Sequence, residues 1–185
     1  MSEDLHRSTA QLEAGLDHVC AAPSESGSIE MIVRRPETEA REVIEEGELD
    51  IEVGLVGDNW LTRGSRKTED GSAHPDMQLN LTSSRVAELV AGPRERWPLE
   101  GDQFYVDFDL SEVNLPPGTR LAIGNALIEV TAEPHLGCKK YTARFGRDAM
   151  LWVNSELGKA LHLRGINARV IEGGTVRTGD SIRKM

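Results

Sequence analysis

The spacing of apolar residues changes along the chain and predicts short strands separated by a few helices. Apolar residues alternate with others from Phe104 to Phe108, which predicts a half-buried strand. Two further apolar runs, 121–123 and 126–130, flank Gly124-Asn125, a dipeptide typical of a hairpin turn because both residues tolerate positive φ. Other predicted strands cover 29–34, 78–81, 166–171, 175–176 and 181–182.

Helical periodicity occurs in three places. Leu5, Leu12, Leu16 and Val19 share one stripe and predict an amphipathic helix over about 3–20, followed by a segment of linker composition over 21–28. A second helix is predicted after Ser83 or Ser84, and helical spacing returns after Cys138. We therefore predict one mainly β, barrel-like domain over 29–185, preceded by a helix and linker over 1–28.

Composition sets the class of protein. The chain has 185 residues, 38% of them hydrophobic and 28% charged, which suits one globular core. No apolar run approaches the roughly 20 residues that span a bilayer, and the first residues lack the basic-then-apolar pattern of a secretory signal. These features predict a cytoplasmic protein that binds no membrane. In that compartment Cys20 and Cys138 are expected to be thiols.

Charge is distributed unevenly around Cys138. The net charge of −10 argues against nucleic-acid binding, which needs clustered Lys and Arg. However, residues 1–133 contain 27 acidic and 11 basic residues, whereas residues 134–185 contain 4 acidic and 10 basic ones. Either the two regions neutralise one another, or the cationic third forms an anion site.

The segment around Cys138 has the composition that a reactive thiolate needs. Lys139 and Lys140 follow it, His135 precedes it, and Arg144 returns to the same side of a helix that begins there. Such a thiolate is suited to nucleophilic chemistry or to a soft metal. The alternative is a small buried hydrophobe, the common state of a free cysteine.

The same region resembles a known family over an ordered set of motifs. They are Leu115-Pro116-Pro117-Gly118-Thr119, Glu133-Pro134-His135-Leu136-Gly137-Cys138, Arg144-Phe145-Gly146-Arg147-Asp148, Leu163-Arg164-Gly165-Ile166-Asn167 and Gly174-Thr175-Val176 with Gly179-Asp180. Together they resemble the MOSC domain, named for the C-terminal domain of molybdenum cofactor sulfurase. The resemblance extends from about Ile29 to the end of the chain.

The resemblance implies a single-domain, pyruvate-kinase-like β-barrel with a few helices. It also implies that Cys138 aligns with a cysteine that ligates molybdenum of the pterin cofactor (molybdopterin) or carries sulfur. Some members reduce N-hydroxylated compounds, which here requires a separate electron donor because the chain has no flavin or iron–sulfur motif. The chain has no room for a desulfurase domain, so pyridoxal phosphate is not expected.

The remaining candidate site residues have two interpretations each. Arg144, Arg164 and Arg169, with Lys139 and Lys140, either bind the phosphate of an anionic pterin or pair with acidic residues. His135 either activates Cys138 as a base or is a hydrogen-bonded structural imidazole.

Two polar residues in turns complete the candidate set. Asn167 and Asp58 either line the cofactor site or stabilise turns.

Three hypotheses follow for function. The first is a molybdenum-cofactor protein, an oxidoreductase or sulfur transferase, with a small-molecule substrate and an electron-transfer or sulfur-donor partner. The second is a metal-free enzyme or persulfide carrier that uses Cys138. The third is a non-catalytic ligand-binding barrel in which Cys138 is inert.

Overall fold

The computed structural model describes residues 5–185, and these form eleven strands and six helices. The strands are β1 (Ser26–Arg34), β2 (Glu42–Ile44), β3 (Glu46–Asp50), β4 (Gly54–Leu55), β5 (Leu79–Ser83), β6 (Phe104–Asp107), β7 (Arg120–Ile123), β8 (Ala126–Val130), β9 (Ile166–Glu172), β10 (Gly174–Arg177) and β11 (Ser181–Lys184). The helices are α1 (Thr9–Ala14), α2 (Leu16–Cys20), α3 (Trp60–Arg63), α4 (Ser84–Ala91), α5 (Lys139–Val153) and α6 (Glu156–Ala160).

Seven strands close into a barrel. The order around it is β1, β11, β7, β8, β9, β5 and β6, and β6 pairs again with β1. All neighbours are antiparallel except β5 and β6, which are parallel. A parallel pair needs a crossover, and here α4 and a 3-10 turn over Arg94–Glu100 provide it. The predicted mainly β, single-domain barrel is therefore confirmed.

The hairpin signal at Gly124-Asn125 is also confirmed. The turn joins β7 to β8, with Ile123 paired to Ala126. Gly124 adopts a φ of 54°, and a Cβ there would lie 2.7 Å from Asp180 Oδ2 and 2.8 Å from the Thr175 carbonyl oxygen. Only a glycine at position 124 allows strand β10 to lie this close to the turn.

A second, smaller sheet packs beside the barrel, in the order β10-β3-β4. Strand β2 also pairs with β1, outside the closed ring.

Two apolar clusters lie on opposite faces of the barrel wall. The first contains the buried residues of alternating strand positions, such as Ile32, Phe104 and Ile128. The second is formed where Tyr105 and other strand residues meet the helices, including Phe145 and Trp152. Because β6 contributes to both clusters, this strand is buried on both faces.

The N-terminal region differs from the predicted single helix. Residues 1–4 lie outside the described range, and the rest forms α1 and α2, which meet at Gly15. A Cβ at Gly15 would lie 2.5 Å from Leu89 Cδ1, so the junction packs directly on α4. Leu12 is fully buried in the second cluster. The domain boundary at residue 28 stays a prediction, and β1 already begins at Ser26.

Within residues 5–185, every helix is too short or too polar to cross a bilayer.

Candidate functional site

Cys138 lies on the surface, directly before α5. Its side chain is exposed and carries a free thiol. The backbone of Cys138 starts the helix, since its carbonyl oxygen accepts a hydrogen bond from the Thr142 amide at 3.0 Å. The thiol is therefore accessible to a ligand, and the buried alternative does not apply to this cysteine.

A break in α5 fixes the position of the segment that precedes Cys138. A straight helix of this length would extend for about 22 Å. Gly146 instead has φ 89° and ψ 169°, so the chain changes direction there. Asn154, just after the helix, accepts a hydrogen bond from the Gly137 amide at 2.8 Å and donates one to its carbonyl oxygen at 2.9 Å. The two ends of α5 are thereby held together beside the thiol.

His135 belongs to a buried cluster that we call the acid cluster: Glu100, Asp102, His135 and Arg164. His135 Nε2 lies 2.7 Å from Asp102 Oδ1, and Arg164 donates to Asp102 Oδ2 at 2.5 Å. Arg164 also donates to the Glu100 carbonyl oxygen at 2.8 Å, and its guanidinium lies 5.0 Å from the ring centroid of Tyr141. Asp102 thus holds the imidazole of His135 and the guanidinium of Arg164 in place.

The two carboxyl groups of the acid cluster have opposite pKa shifts. Burial alone would raise the pKa of Asp102, but Arg164 and His135 outweigh it and hold that pKa well below its usual range. Burial raises the pKa of Glu100 to about 8, with added repulsion from Asp102 and partial opposition from Arg164. Asp102 is therefore ionised at neutral pH, and Glu100 is largely protonated.

The proton of His135 is located by these contacts. An ionised carboxylate only accepts hydrogen bonds, so Nε2 of His135 donates to Asp102. Burial, followed by the charge of Arg164, lowers the pKa of His135. The imidazole is consequently neutral at physiological pH, with its lone pair on Nδ1.

A second charged region, which we call the cationic cleft, begins two residues after Cys138. Its cations are Arg35, Arg41, Arg63 and Lys140, and they line a cavity of about 80 Å³. Burial lowers the pKa of Arg41, and the neighbouring Arg144 lowers it further. Burial, followed by the charge of Arg35, also lowers the pKa of Arg63. Arginine nevertheless stays charged, so the cleft concentrates positive charge.

Glu39 is the counter-ion on the rim of the cationic cleft. Its carboxylate pairs with Lys140 at 2.5 Å and with Arg144. Glu39 has a φ of 66°, which is uncommon for a residue with a Cβ. Another wall residue, Asn59, has a buried Oδ1 without a hydrogen-bond partner in the described part of the chain. The cleft therefore contains both an exchangeable carboxylate and an unsatisfied polar atom.

Arg35 connects the cleft to a buried polar network. It donates to both carboxylate oxygens of Asp58, at 2.9 and 2.8 Å, and to Asn80 Oδ1 at 2.9 Å. Asn80 in turn donates to Asn167 Oδ1 at 2.6 Å, and Asn167 donates to the Glu133 carbonyl oxygen at 2.9 Å. This network links the end of β1 to the segment that leads to Cys138.

The predicted site residues thus fall into four groups. Lys140 and Arg144 meet at the cationic cleft, and Lys139 is exposed beside Cys138. His135 and Arg164 belong to the acid cluster, whereas Asp58 and Asn167 belong to the buried network. Arg169 lies apart from these groups on β9, in exposed pairs with Glu129 at 2.7 Å and Asp76 at 3.7 Å. Their roles in catalysis or cofactor binding stay predictions.

Sequence reasoning misses several residues that organise the site. The sequence gives Asp102, Arg35, Arg41 and Asn154 no role. Arg35 offers a partial signal, since it is the second of two arginines that follow the apolar run of β1. Asp102 and Asn154 have no comparable signal, because their partners lie 33, 62 and 17 residues away in the chain.

Comparison with known proteins gives a family. The profile of the MOSC domain matches residues 80–183, more than half of the chain. Comparison with curated protein sequences finds no match. Among solved structures, the YuaD protein from Bacillus subtilis is similar, with 19% identity, a TM-score of 0.60, and coverage of 85% of this chain and 94% of that one.

Two further solved structures have the same fold. YiiM from Escherichia coli has 23% identity and a TM-score of 0.54, with coverage of 85% of this chain and 69% of that one. YiiM from Geobacillus stearothermophilus has 14% identity and a TM-score of 0.54, covering 86% and 73% respectively. The resemblance over the motifs around Cys138 is thus confirmed at the level of the family. By its profile match and its barrel, the chain belongs to the MOSC domain family.

Proposed function

We propose that this protein binds the molybdenum cofactor, with the thiolate of Cys138 as the metal ligand or as the carrier of sulfur. One observation carries the proposal: the exposed thiol precedes a helix whose first turns bring Lys140 and Arg144 to the cationic cleft. A thiolate is a soft ligand, and arginines bind phosphate well through paired donors. The thiolate matches the metal end of a metal-bearing pterin phosphate, and the cations match its phosphate end.

The donor set of the cleft fits an anionic group. Arg41, Arg63 and Lys140 would hold the phosphate, whereas Arg35 already donates to Asp58 and Asn80. The carboxylate of Glu39 is bound to Lys140 at the rim of the cleft. An incoming phosphate would displace Glu39, since a dianion interacts more strongly with the arginines than one exposed carboxylate does.

When bound, molybdenum would supply the redox chemistry that reduces N-hydroxylated compounds, with electrons from a separate donor protein. The residues of this chain bind and orient. His135 has a ring held by Asp102, and it therefore fixes the segment that leads to Cys138. Asn154 keeps Gly137, and therefore the adjacent cysteine, in one position.

The first test is the molybdenum and pterin content of the protein, measured by mass spectrometry after expression in a host that makes the cofactor. Wild type is expected to contain near-stoichiometric metal, and Cys138→Ala is expected to lose it. Cys20→Ala is the matched control, because Cys20 is also an exposed free thiol. Metal in none of the three proteins would contradict the proposal and favour metal-free thiol chemistry at Cys138.

The second test concerns the cationic cleft. Arg41→Gln and Arg63→Gln are each expected to reduce the pterin content by about tenfold, since a charge-assisted contact contributes about 1.5 kcal/mol. Arg169→Gln serves as the control because Arg169 forms only exposed ion pairs on β9. Equal losses in all three variants would contradict the assignment of the phosphate to the cleft.

A further inference from the structure

A separate pocket lies on the other side of the segment 133–136. It has a volume of about 360 Å³, within the range that holds small molecules. Val130, Leu136, Val153 and Ile166 supply much of its apolar wall. None of its wall residues is shared with the cationic cleft, and Cys138 is not among them. It is therefore a distinct cavity.

Two histidines line this pocket, and hydrogen bonds fix the tautomer of each. Nε2 of His135 donates to the ionised Asp102, which leaves the lone pair on Nδ1. Nδ1 of His162 lies 2.7 Å from the carbonyl oxygen of Leu110, and a carbonyl only accepts. In the neutral His162 ring the lone pair is therefore on Nε2.

Both lone pairs are available to a ligand. Nδ1 of His135 and Nε2 of His162 form no hydrogen bond within residues 5–185, and neither is among the fully buried, unpaired atoms there. Most other polar side chains of the pocket already form hydrogen bonds within the protein. Thr131 donates to the Asp76 carbonyl oxygen at 2.6 Å, and Asn167 bonds to Asn80 and Glu133.

The backbone of His162 is strained where it meets the pocket. Its φ of 47° is in the left-handed region, one of two such cases among non-glycine residues of the described chain. Such a conformation is uncommon for a residue with a Cβ and tends to persist at functional sites. The contacts that hold it include the Gly165 amide, which donates to the His162 carbonyl oxygen at 2.7 Å. The strain places the second imidazole at the pocket wall.

The charges of the pocket do not select an ion. Glu112 and Lys159 have opposite charges, and Glu133 is paired with Lys67. Nor does the pocket suit a metal, because the described residues include no group of three or more His, Cys, Asp or Glu side chains that could hold one. The ligand that matches is uncharged and supplies hydrogen-bond donors.

We propose that this pocket binds a neutral, ring-sized small molecule with an apolar body and two N–H or O–H donors, one for each imidazole. The site operates whether or not a cofactor is bound at Cys138, because the two cavities share no wall residue.

The test compares two probes of similar shape. Resorcinol has two O–H donors, and 1,3-dimethoxybenzene has none. Binding to the metal-free protein is followed by NMR shifts of the histidine ring protons. Resorcinol is expected to bind and to shift both His135 and His162, whereas 1,3-dimethoxybenzene is expected to bind at least about tenfold more weakly because both hydrogen bonds are lost.

Two variants remove one acceptor each and keep the structural hydrogen bond. His135→Gln retains a donor to Asp102, and His162→Asn retains a donor to Leu110 and tolerates positive φ. Each is expected to weaken resorcinol binding by about fivefold. His18→Asn is the control, since His18 is exposed and distant in sequence from the pocket wall. Its affinity is expected to equal that of wild type.

Equal affinity for the two probes, no detectable resorcinol binding to wild type, or unchanged affinity in both folded variants would overturn the inference. The outcome is separable from that of the proposed function. Resorcinol binding by a protein that never acquires molybdenum would keep this inference and contradict the proposed function. Molybdenum binding without resorcinol binding would support the proposed function and contradict this inference.

Discussion

The acid cluster and the cationic cleft both contact the segment that carries Cys138, but they hold their charges in opposite ways. In the acid cluster Asp102 is fully buried, and its two oxygens accept hydrogen bonds from His135 and from the cationic Arg164. In the cleft Arg41, Arg63 and Lys140 line one cavity, and Glu39, the counter-ion of Lys140, has an exposed side chain. The first arrangement fixes geometry, whereas the second leaves charge available to a ligand.

The comparison shows what buried charges and exposed charges can each do. Buried charges lose hydration, so they persist only when matched by partners, and their positions are then narrowly determined. Exposed charges keep their hydration and exchange partners easily. We therefore expect variants of the acid cluster to change stability and variants of the cleft to change anion binding.

The largest effect is expected from Arg164→Met. The variant leaves Asp102 buried with only His135 as a partner, and removing one member of a buried pair costs about 3–5 kcal/mol. Urea unfolding, followed by tryptophan fluorescence, measures the loss. Arg169→Met is the control, because its exposed pairs contribute less than about 1 kcal/mol. Similar values for the two variants would remove the distinction between buried and exposed charge.

The next effect concerns Glu100 and depends on pH. In the fold its pKa is about 8, above the ordinary value of 4.5, so the folded state binds an extra proton between these two values. The contribution of Glu100 to the free energy of unfolding is therefore expected to fall as pH rises from 4.5 to about 8. A fully bound extra proton makes this slope about 1.4 kcal/mol per pH unit.

Glu100→Gln sharpens this prediction, since glutamine has the same shape and no titration. The variant is expected to flatten this part of the pH dependence and to exceed wild type in stability at pH 8. Urea unfolding at pH 5, 6.5 and 8 measures both. A wild-type stability that rises steadily across this range, with the same slope in the variant, would show that Glu100 is ionised in the fold.

A smaller effect is expected from Asn154→Ala, which removes both hydrogen bonds to Gly137. Stability is expected to fall by about 1–2 kcal/mol. The alkylation rate of Cys138 by iodoacetamide is expected to change while that of Cys20 does not, because only the first thiol lies beside Gly137. Peptide mass spectrometry measures both rates in one sample. Parallel changes at the two cysteines would indicate general loosening and contradict a positioning role.

The smallest effect on stability is expected from Glu39→Gln. Its carboxylate is exposed, so its pairs with Lys140 and Arg144 contribute little to folding. The affinity of the cleft for inorganic phosphate is expected to rise by about threefold to tenfold, because the competing carboxylate is gone. Calorimetric titration measures it, with Glu42→Gln, which frees only Arg34, as the control. A weaker affinity would show that Glu39 helps to hold the anion.

The sequence predicted the barrel strands well where local signals are strong. The hairpin at Gly124-Asn125 and the strand β6 are both found in the structure, because turn residues and alternation are local signals. The expectation that β6 is half-buried was wrong, since helices cover its outer face. The prediction of one long N-terminal helix was wrong, because the region forms two shorter helices. Its stripe of leucines continues through Gly15, but close packing on Leu89 divides it into α1 and α2.

By itself the sequence determined the β-rich class, the family resemblance, and Cys138 with its neighbouring cations as the candidate centre. Only the tertiary structure decided that Asp102 orients His135 and forms a buried ion pair with Arg164. It also decided that Arg41 and Arg63 line one cleft with Lys140. The reason is physical. Periodicity and turn residues report on neighbours in the chain, whereas the direction of a pKa shift and the partner of a buried charge depend on groups brought together from distant strands.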